Sequence, residues 1–175
     1  GNVTFTTDAG SDVTITDKSD FAIQSALHVN DLSITSTGVV TDSGSIVIDG
    51  TLDVSASGQV VTLDGTTNDI TGAVSLTGGS VTLNDTSATS IGGISASSLT
   101  LTSTGAITGT ANGTPANTGT EHAVNLMATN GFGKSTKAII FKAYPLPSSI
   151  TDSGATDLGM YLSLIHISEP TRRYS

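Results

Sequence analysis

The chain is expected to be all-β, a parallel β-helix of about five rungs, on three observations. A short phrase recurs along its first two thirds: Leu32-Ser33-Ile34-Thr35-Ser36-Thr37-Gly38-Val39-Val40 returns as Leu52-Asp53-Val54-Ser55-Ala56-Ser57-Gly58-Gln59-Val60 and as Leu99-Thr100-Leu101-Thr102-Ser103-Thr104-Gly105-Ala106-Ile107. Asn68–Leu83 is the fullest version. A strand that cannot bury its apolar face alone, repeated about every 20 residues, is the signature of a stacked array. The composition agrees, because β-branched residues lie between Gly, Asn and Asp punctuation and helix formers are scarce. Of the 15 acidic residues only Glu121 and Glu169 are glutamates; the rest are Asp, a turn residue.

In chain order the expected strand cores are Val3–Thr6, Val13–Thr16, Phe21–Ile23, Leu32–Thr35, Ile46–Ile48, Leu52–Val54, Val60–Leu63, Val74–Leu76, Val81–Leu83 and Leu99–Leu101. Within each, apolar residues alternate with Thr, Ser or Asp, which sends one face inward and one outward. Gly38, Gly44, Gly50, Gly58, Gly65 and Gly72 fall at the corners, where positive φ or close approach of neighbouring chains is needed. Three strands per turn make a triangular coil with rungs about 4.8 Å apart, so about 24 Å for five rungs.

Residues 1–108 form this repeat region, and its phrases, above all Asn68–Asp85 and Leu99–Thr110, resemble the repeats of filamentous-haemagglutinin-type exoproteins and giant autotransported adhesins. The likeness is good over residues 30–108 and loose over 1–30. It implies a right-handed parallel β-helix serving as the shaft of a surface adhesin. Residues 109–147 change texture. Gly113-Thr114-Pro115, Asn117–Thr120, Ala128–Gly131 and Ala138–Phe141 resemble the second half of a bacterial immunoglobulin-like or cadherin-like repeat. The expectation there is a partial Ig-like antiparallel strand pair, with Val124/Leu126 and Ile139/Phe141 alternating and Asn130-Gly131 turning between them. Residues 148–161 are expected to be a flexible linker. Leu162–Arg173 carries both arginines and resembles translated sequencing-adapter read-through, so 162–175 is expected to be a disordered artefactual tail without function.

Net charge is −9, and Lys18 is the single basic residue in the first 133 apart from histidine. Nucleic acid or anionic lipid would need clustered Lys and Arg, which excludes both as partners and argues against membrane insertion. An acidic Thr/Ser/Gly/Asp surface suits a secreted protein, and the resemblance implies an extracellular place at a bacterial cell surface, with an unidentified host-cell, glycan or abiotic surface ligand and the rest of the parent polypeptide as partners. The start at Gly1, without initiator Met or signal peptide, suggests an internal piece of a longer polypeptide.

Four constellations compete with a purely structural role. Ala128–Ser135 fits a relaxed phosphate-binding loop, but Thr136–Ala143 alternates like a strand where the chemistry requires a helix N-terminus. Thr4-x-Thr6, Thr14-x-Thr16 and Thr100-x-Thr102 suggest outward threonine rows of the ice-binding kind; the rungs between carry Ser33/Thr35, Asp53/Ser55 and Ser75/Thr77, and Asp53 interrupts the row. Asp8/Asp12, Asp17/Asp20, Asn68/Asp69 and Asn84/Asp85 offer oxygen ligands for calcium near turns, where Asp and Asn more often cap their own backbone. A carbohydrate-processing enzyme on this fold would need paired carboxylates, with Asp53/Asp64 or Asp49/Asp69 as the available pairs, or an activated nucleophile beside His28 or His122. No spacing specifies any of these sites. The sequence therefore nominates no catalytic, cofactor-binding or metal-ligating residue and no cofactor, and points to a non-catalytic adhesive shaft.

Overall fold

A computed structural model describes residues 8–110, together with strand residues at Asn2–Val3, Thr114–Pro115, Val124–Ala128 (with Thr129), Ile139–Ile140 and Ser149–Asp152. Among these residues there is no helix, and every strand pairing is parallel. The chain is a β-solenoid of about five turns, as its repeats predict.

The first turn runs through β2 (Val13–Asp17), β3 (Phe21–Ile23) and β4 (Leu27–Val29), after a short β1 (Asn2–Val3). The second repeats it with β5 (Leu32–Ser36), β6 (Val40–Asp42) and β7 (Ile46–Ile48), and the third with β8 (Leu52–Ser55), β9 (Val60–Leu63) and β10 (Asp69–Ile70). The fourth and fifth turns have two strands each, β11 (Ala73–Thr77) with β12 (Ser80–Asp85), then β13 (Thr89–Ser95) with β14 (Ser98–Ser103). After them come β15 (Ile107–Gly109), β16 (Thr114–Pro115), β17 (Val124–Ala128), β18 (Ile139–Ile140) and β19 (Ser149–Asp152).

Like strands stack on like. Face A is the eight-stranded sheet β1-β3-β6-β9-β12-β14-β17-β19, face B the six-stranded sheet β2-β5-β8-β11-β13-β15, and face C the three-stranded sheet β4-β7-β10. Val13 lies beside Leu32, Leu32 beside Leu52, and Leu52 beside Val74, so a turn takes 19, 20 and 22 residues in succession. This alignment converts the period-2 pattern of each strand into continuous columns. Leu32, Leu52, Val74 and Ile91 line one buried column of face B; Phe21, Val40, Val61, Val81 and Leu99 line one of face A. A fully buried aliphatic side chain is worth about 1.5–3 kcal/mol relative to exposure, so the columns hold the coil together and the backbone ladders set its rise.

The corner glycines divide by cause. Gly58 has φ of 75°, a left-handed conformation that favours glycine. The others serve close approach. A Cβ on Gly72 would fall on the Gly50 carbonyl, one on Gly44 on the Ser25 carbonyl, and one on Gly65 within 2.7 Å of Asp42 Oδ2. Between β11 and β13 the register slips, because Val74 pairs with Ile91 but Ser75 with Gly93. Gly92 is thus the extra residue of a bulge.

One expected pairing is corrected. Val124–Ala128 does not form an antiparallel pair with the strand that follows it. It lies parallel between β14 and β19, with Leu99 beside Val124, Leu101 beside Leu126, and Leu126 beside Ile150. Ile139–Ile140 instead pairs in parallel with Thr114–Pro115 in a separate two-stranded sheet. Alternation fixes which residues share a face but not the direction of the neighbouring strand, and Val124/Leu126 takes the register of Leu99/Leu101 as readily as it would serve a hairpin. The Asn130-Gly131 turn expected there lies outside the described residues, as do His122, most of the Ala128–Ser135 stretch and the tail at 162–175. Ser149–Asp152, in the stretch expected as linker, is the last strand of face A.

Candidate functional site

The outer faces carry the side chains that a partner would meet. On face B two rows run along the coil: Thr14, Ser33, Asp53, Ser75, Gly93 and, beside it, Thr16, Thr35, Ser55, Thr77, Ser95. These are the rows read from the sequence, and Asp53 interrupts the first, as expected. Thr100-x-Thr102 does not belong with them, because Ser98–Ser103 lies on face A. There Thr100 completes a row that sequence reasoning missed. Thr41, Thr62, Thr82 and Thr100 stand in register on four successive rungs, half-exposed, with Ala22 before them and Asn125 and Ser149 after. No charge interrupts it. The signal was available in Val40-Thr41-Asp42, whose Thr falls one turn before Thr62 once the 21-residue spacing of Val40 and Val61 is applied.

The acidic residues near corners act mainly as caps for the next turn. Asp12 Oδ1 accepts from Asn30 Nδ2 at 2.8 Å and from Asp31 N at 3.3 Å. Asp20 Oδ1 accepts from Val39 N at 2.9 Å. Asp31 Oδ1 accepts from Thr51 N at 2.6 Å and Thr51 Oγ1 at 2.9 Å. Hydrogen bonds from Thr51, its backbone first, hold the Asp31 carboxyl below its ordinary value. Asp17 is lowered by a more local pair, the hydroxyl and then the amide of Ser19, both at 2.9 Å. All four calcium-candidate pairs thus contribute a residue already bonded to backbone: Asp12, then Asp17 and Asp20, then Asn68, and Asn84, whose Nδ2 donates to Asp64 O at 2.8 Å. Among the described residues no three His, Cys, Asp or Glu side chains gather where they could hold a metal ion.

Of the two carboxylate pairs considered for hydrolysis, the architecture divides Asp53/Asp64 and leaves Asp49/Asp69 on neighbouring rungs of one face. Asp53 is on face B, whereas Asp64 follows the end of β9 on face A. Asp69 stands beside Val47 on face C, and Asp49 is two residues beyond Val47. Asp49 instead reaches His28, Oδ2 to Nε2 at 3.1 Å, with both side chains about half exposed.

The buried polar groups form the one inner constellation. Asp42 is the inward residue at the end of β6, in the column where Ile23 stands one rung before it. Its Oδ1 accepts from Asp64 N at 2.9 Å; its Oδ2 accepts from Gly65 N at 3.3 Å and Asn68 Nδ2 at 2.6 Å. Burial raises its carboxyl above the ordinary value, and the charge of Asp64 adds to the rise. The bonds from Asn68, Gly65 and Asp64 pull the other way without cancelling it. Asn68, fully buried, also donates to Leu63 O at 3.3 Å and accepts from Ile46 N at 3.0 Å. One turn on, Asp85 Oδ1 accepts from Ile70 N, Ser87 N and Ser87 Oγ at 2.9–3.2 Å, and its Oδ2 accepts from Thr89 Oγ1 at 2.8 Å. All of these donors and acceptors are satisfied internally, so the cluster organises the corner and leaves no group aimed at a ligand.

Comparison with known proteins adds one likeness. A family model described as repeats of unknown function (DUF5649) matches residues 1–77. That stretch is the run of three-stranded turns with β11, so the family likeness and the regular coil coincide. No curated protein and no solved structure matches the chain.

Proposed function

We propose that this chain is a non-catalytic rigid segment of a large bacterial surface adhesin, working outside the cell as a shaft that holds a binding region away from its anchor. The observation that carries this is the unbroken parallel stacking of face A, eight strands in register from Asn2 to Asp152. Such a stack resists bending because each turn is tied to the next by main-chain hydrogen bonds and by buried columns. The likeness of residues 1–77 to a repeat family fits a segment that extends by adding turns. Its outer surface of Thr, Ser and Asp suits repeated weak contact with a glycan, host-cell or abiotic surface, where avidity multiplies small affinities. The poverty of basic residues argues against nucleic acid and anionic lipid. Single-molecule pulling from the two ends tests the shaft. Stepwise release of about 20 residues, ~7 nm of contour per turn, is expected at high force; smooth extension at low force would remove the mechanical role.

One observation favours a second role, an ice-binding or surface-layer component. The row Thr41, Thr62, Thr82, Thr100 places hydroxyls and methyls at the regular spacing of the rungs, about 4.8 Å. The next outward row does not repeat it, since Asn84 pairs with Thr102 and Asp64 precedes Asn84 by one turn. Thermal-hysteresis measurement separates the two roles: a freezing-point gap abolished by Thr62→Lys supports ice binding, and none supports the shaft.

A further inference from the structure

The turns of this coil are nearly interchangeable. Inward positions repeat Val, Ile and Leu, and outward ones repeat Thr and Ser, so a strand displaced by one whole turn would find almost the same neighbours. Register is weakly specified wherever a pattern repeats itself. Where the second and third turns meet, two inward columns break the monotony, as the buried Ser36, Asp85, Thr89 and Ser103 do elsewhere. On face A the column runs Ile23, Asp42 and resumes as Leu63, Leu83, Leu101. On face C it runs Leu27, Ile46, and the residue before Asp69, which pairs with Val47, is Asn68. Each column thus holds one polar residue, on successive turns, and the two are bonded to each other at 2.6 Å.

We infer that the Asp42–Asn68 pair is the register key of the coil, the contact that tells the second turn from every other turn the third could stack upon. Shifted by one turn, Asn68 would face Leu27 and Ile46 columns without a carboxylate, and Asp42 would lie in an apolar column without its three donors. An unpaired buried charge is far costlier than a misplaced Leu. A single polar residue in an apolar seam fixes register in coiled coils by the same logic. The pair need add little net stability to do this, because its effect is on the misaligned states.

The chain contains no cysteine, so introduced pairs report register cleanly. One reporter is Thr41→Cys with Thr62→Cys, outward Cα partners on adjacent rungs. The other is Thr41→Cys with Thr82→Cys, two rungs apart and about 10 Å distant, beyond disulfide reach. In the otherwise unchanged chain, oxidation should close 41–62 and leave 41–82 open. In Asp42→Leu/Asn68→Leu, the 41–82 bridge should appear and the 41–62 yield should fall in proportion. If that variant stays folded with only the 41–62 bridge, the inference is overturned. Should it not fold, Asp42→Asn decides: it keeps an acceptor for Asp64 N but removes the carboxylate that receives Asn68 Nδ2. A mixture of 41–62 and 41–82 bridges is then expected, and the 41–62 bridge alone would overturn the inference.

Discussion

The first three turns and the next two solve the same stacking problem differently. From Val13 to Ile70 each turn has three strands, short corners and glycines where chains nearly touch. From Ala73 to Ser103 the third strand is gone and the strands on face A lengthen to six residues. Hydroxyls add to the main-chain bonds that remain there, such as Thr86 N to Asn68 O and Gly105 N to Ser87 O. Thr86 Oγ1 donates to Asn68 O at 2.7 Å, Ser87 Oγ to Ile70 O at 3.2 Å, Ser103 Oγ to Ser87 O at 2.7 Å, and Thr104 Oγ1 to Thr86 O. Buried Asp85, Thr89 and Ser103 sit where this happens. Carboxylates cap corners in both kinds of turn, Asp12, Asp20 and Asp31 in the first and Asp85 in the second; what differs is that a third strand ladder supports the first and hydroxyls on backbone carbonyls support the second. The repeat-family likeness covers the first kind of turn and stops at Thr77, as the second begins.

The largest effect that would sharpen this contrast is expected from Asn68→Leu, at the junction. It removes the donor to the buried Asp42 carboxylate and the acceptor for Ile46 N. Each buried group left unsatisfied costs about 1–3 kcal/mol, and more when it is charged, so about 3–5 kcal/mol together, readable as a fall in urea midpoint at constant m-value. Asp85→Ala should come next, at about 2–4 kcal/mol, since four donors lose one acceptor group. Its damage should be confined to amides of the two-stranded turns and of the adjoining Ile70 in hydrogen exchange; equal loss of protection in Val13–Ile48 would deny the contrast. Gly72→Ala should cost about 1–3 kcal/mol through collision with the Gly50 carbonyl. Gly93→Ala, with open space above it, should change stability by under about 0.5 kcal/mol.

The smallest effect concerns pH, and its sign differs between two carboxylates. Asp31 is held below its ordinary 3.8, so its contribution is present above that value and disappears as pH falls through its lowered folded value. Asp42 is raised, so its contribution is complete below 3.8 and is lost as pH climbs through its folded value. Chemical denaturation across acidic pH should show the gap between the parent and Asp31→Asn closing on acidification. The gap between the parent and Asp42→Leu should move the opposite way.

Much of the coil was legible because period-2 alternation and the 20-residue repeat are independent signals that agree at Leu32–Thr35, Leu52–Val54 and Val81–Leu83. Leu27–Val29 and Val40–Asp42 were hidden, the first by His28 at its centre and the second by an Asp that reads as a turn residue. Thr89–Ser95 was obscured by Gly92-Gly93, which reads as a break and is a bulge within the strand. The polar corner was invisible for a deeper reason. Asp42 and Asn68 look like ordinary turn residues until the register places them in columns otherwise filled by Ile and Leu. The direction of Val124–Ala128 could not be read at all, since an apolar alternation is the same in both directions.

That strand is where the account of one continuous in-register coil is most exposed. Spin labels at Ala22→Cys and Ser149→Cys, both in the uncharged row of face A, measure it in a single distance. Six rungs separate them through Thr41, Thr62, Thr82, Thr100 and Asn125. The account predicts a narrow distribution centred near 29 Å before allowance for the label arms, from about 4.8 Å per rung. A broad distribution, or one that broadens in denaturant well below the unfolding midpoint of the coil, would mean that Val124–Ala128 and Ser149–Asp152 do not stack on the turns before them.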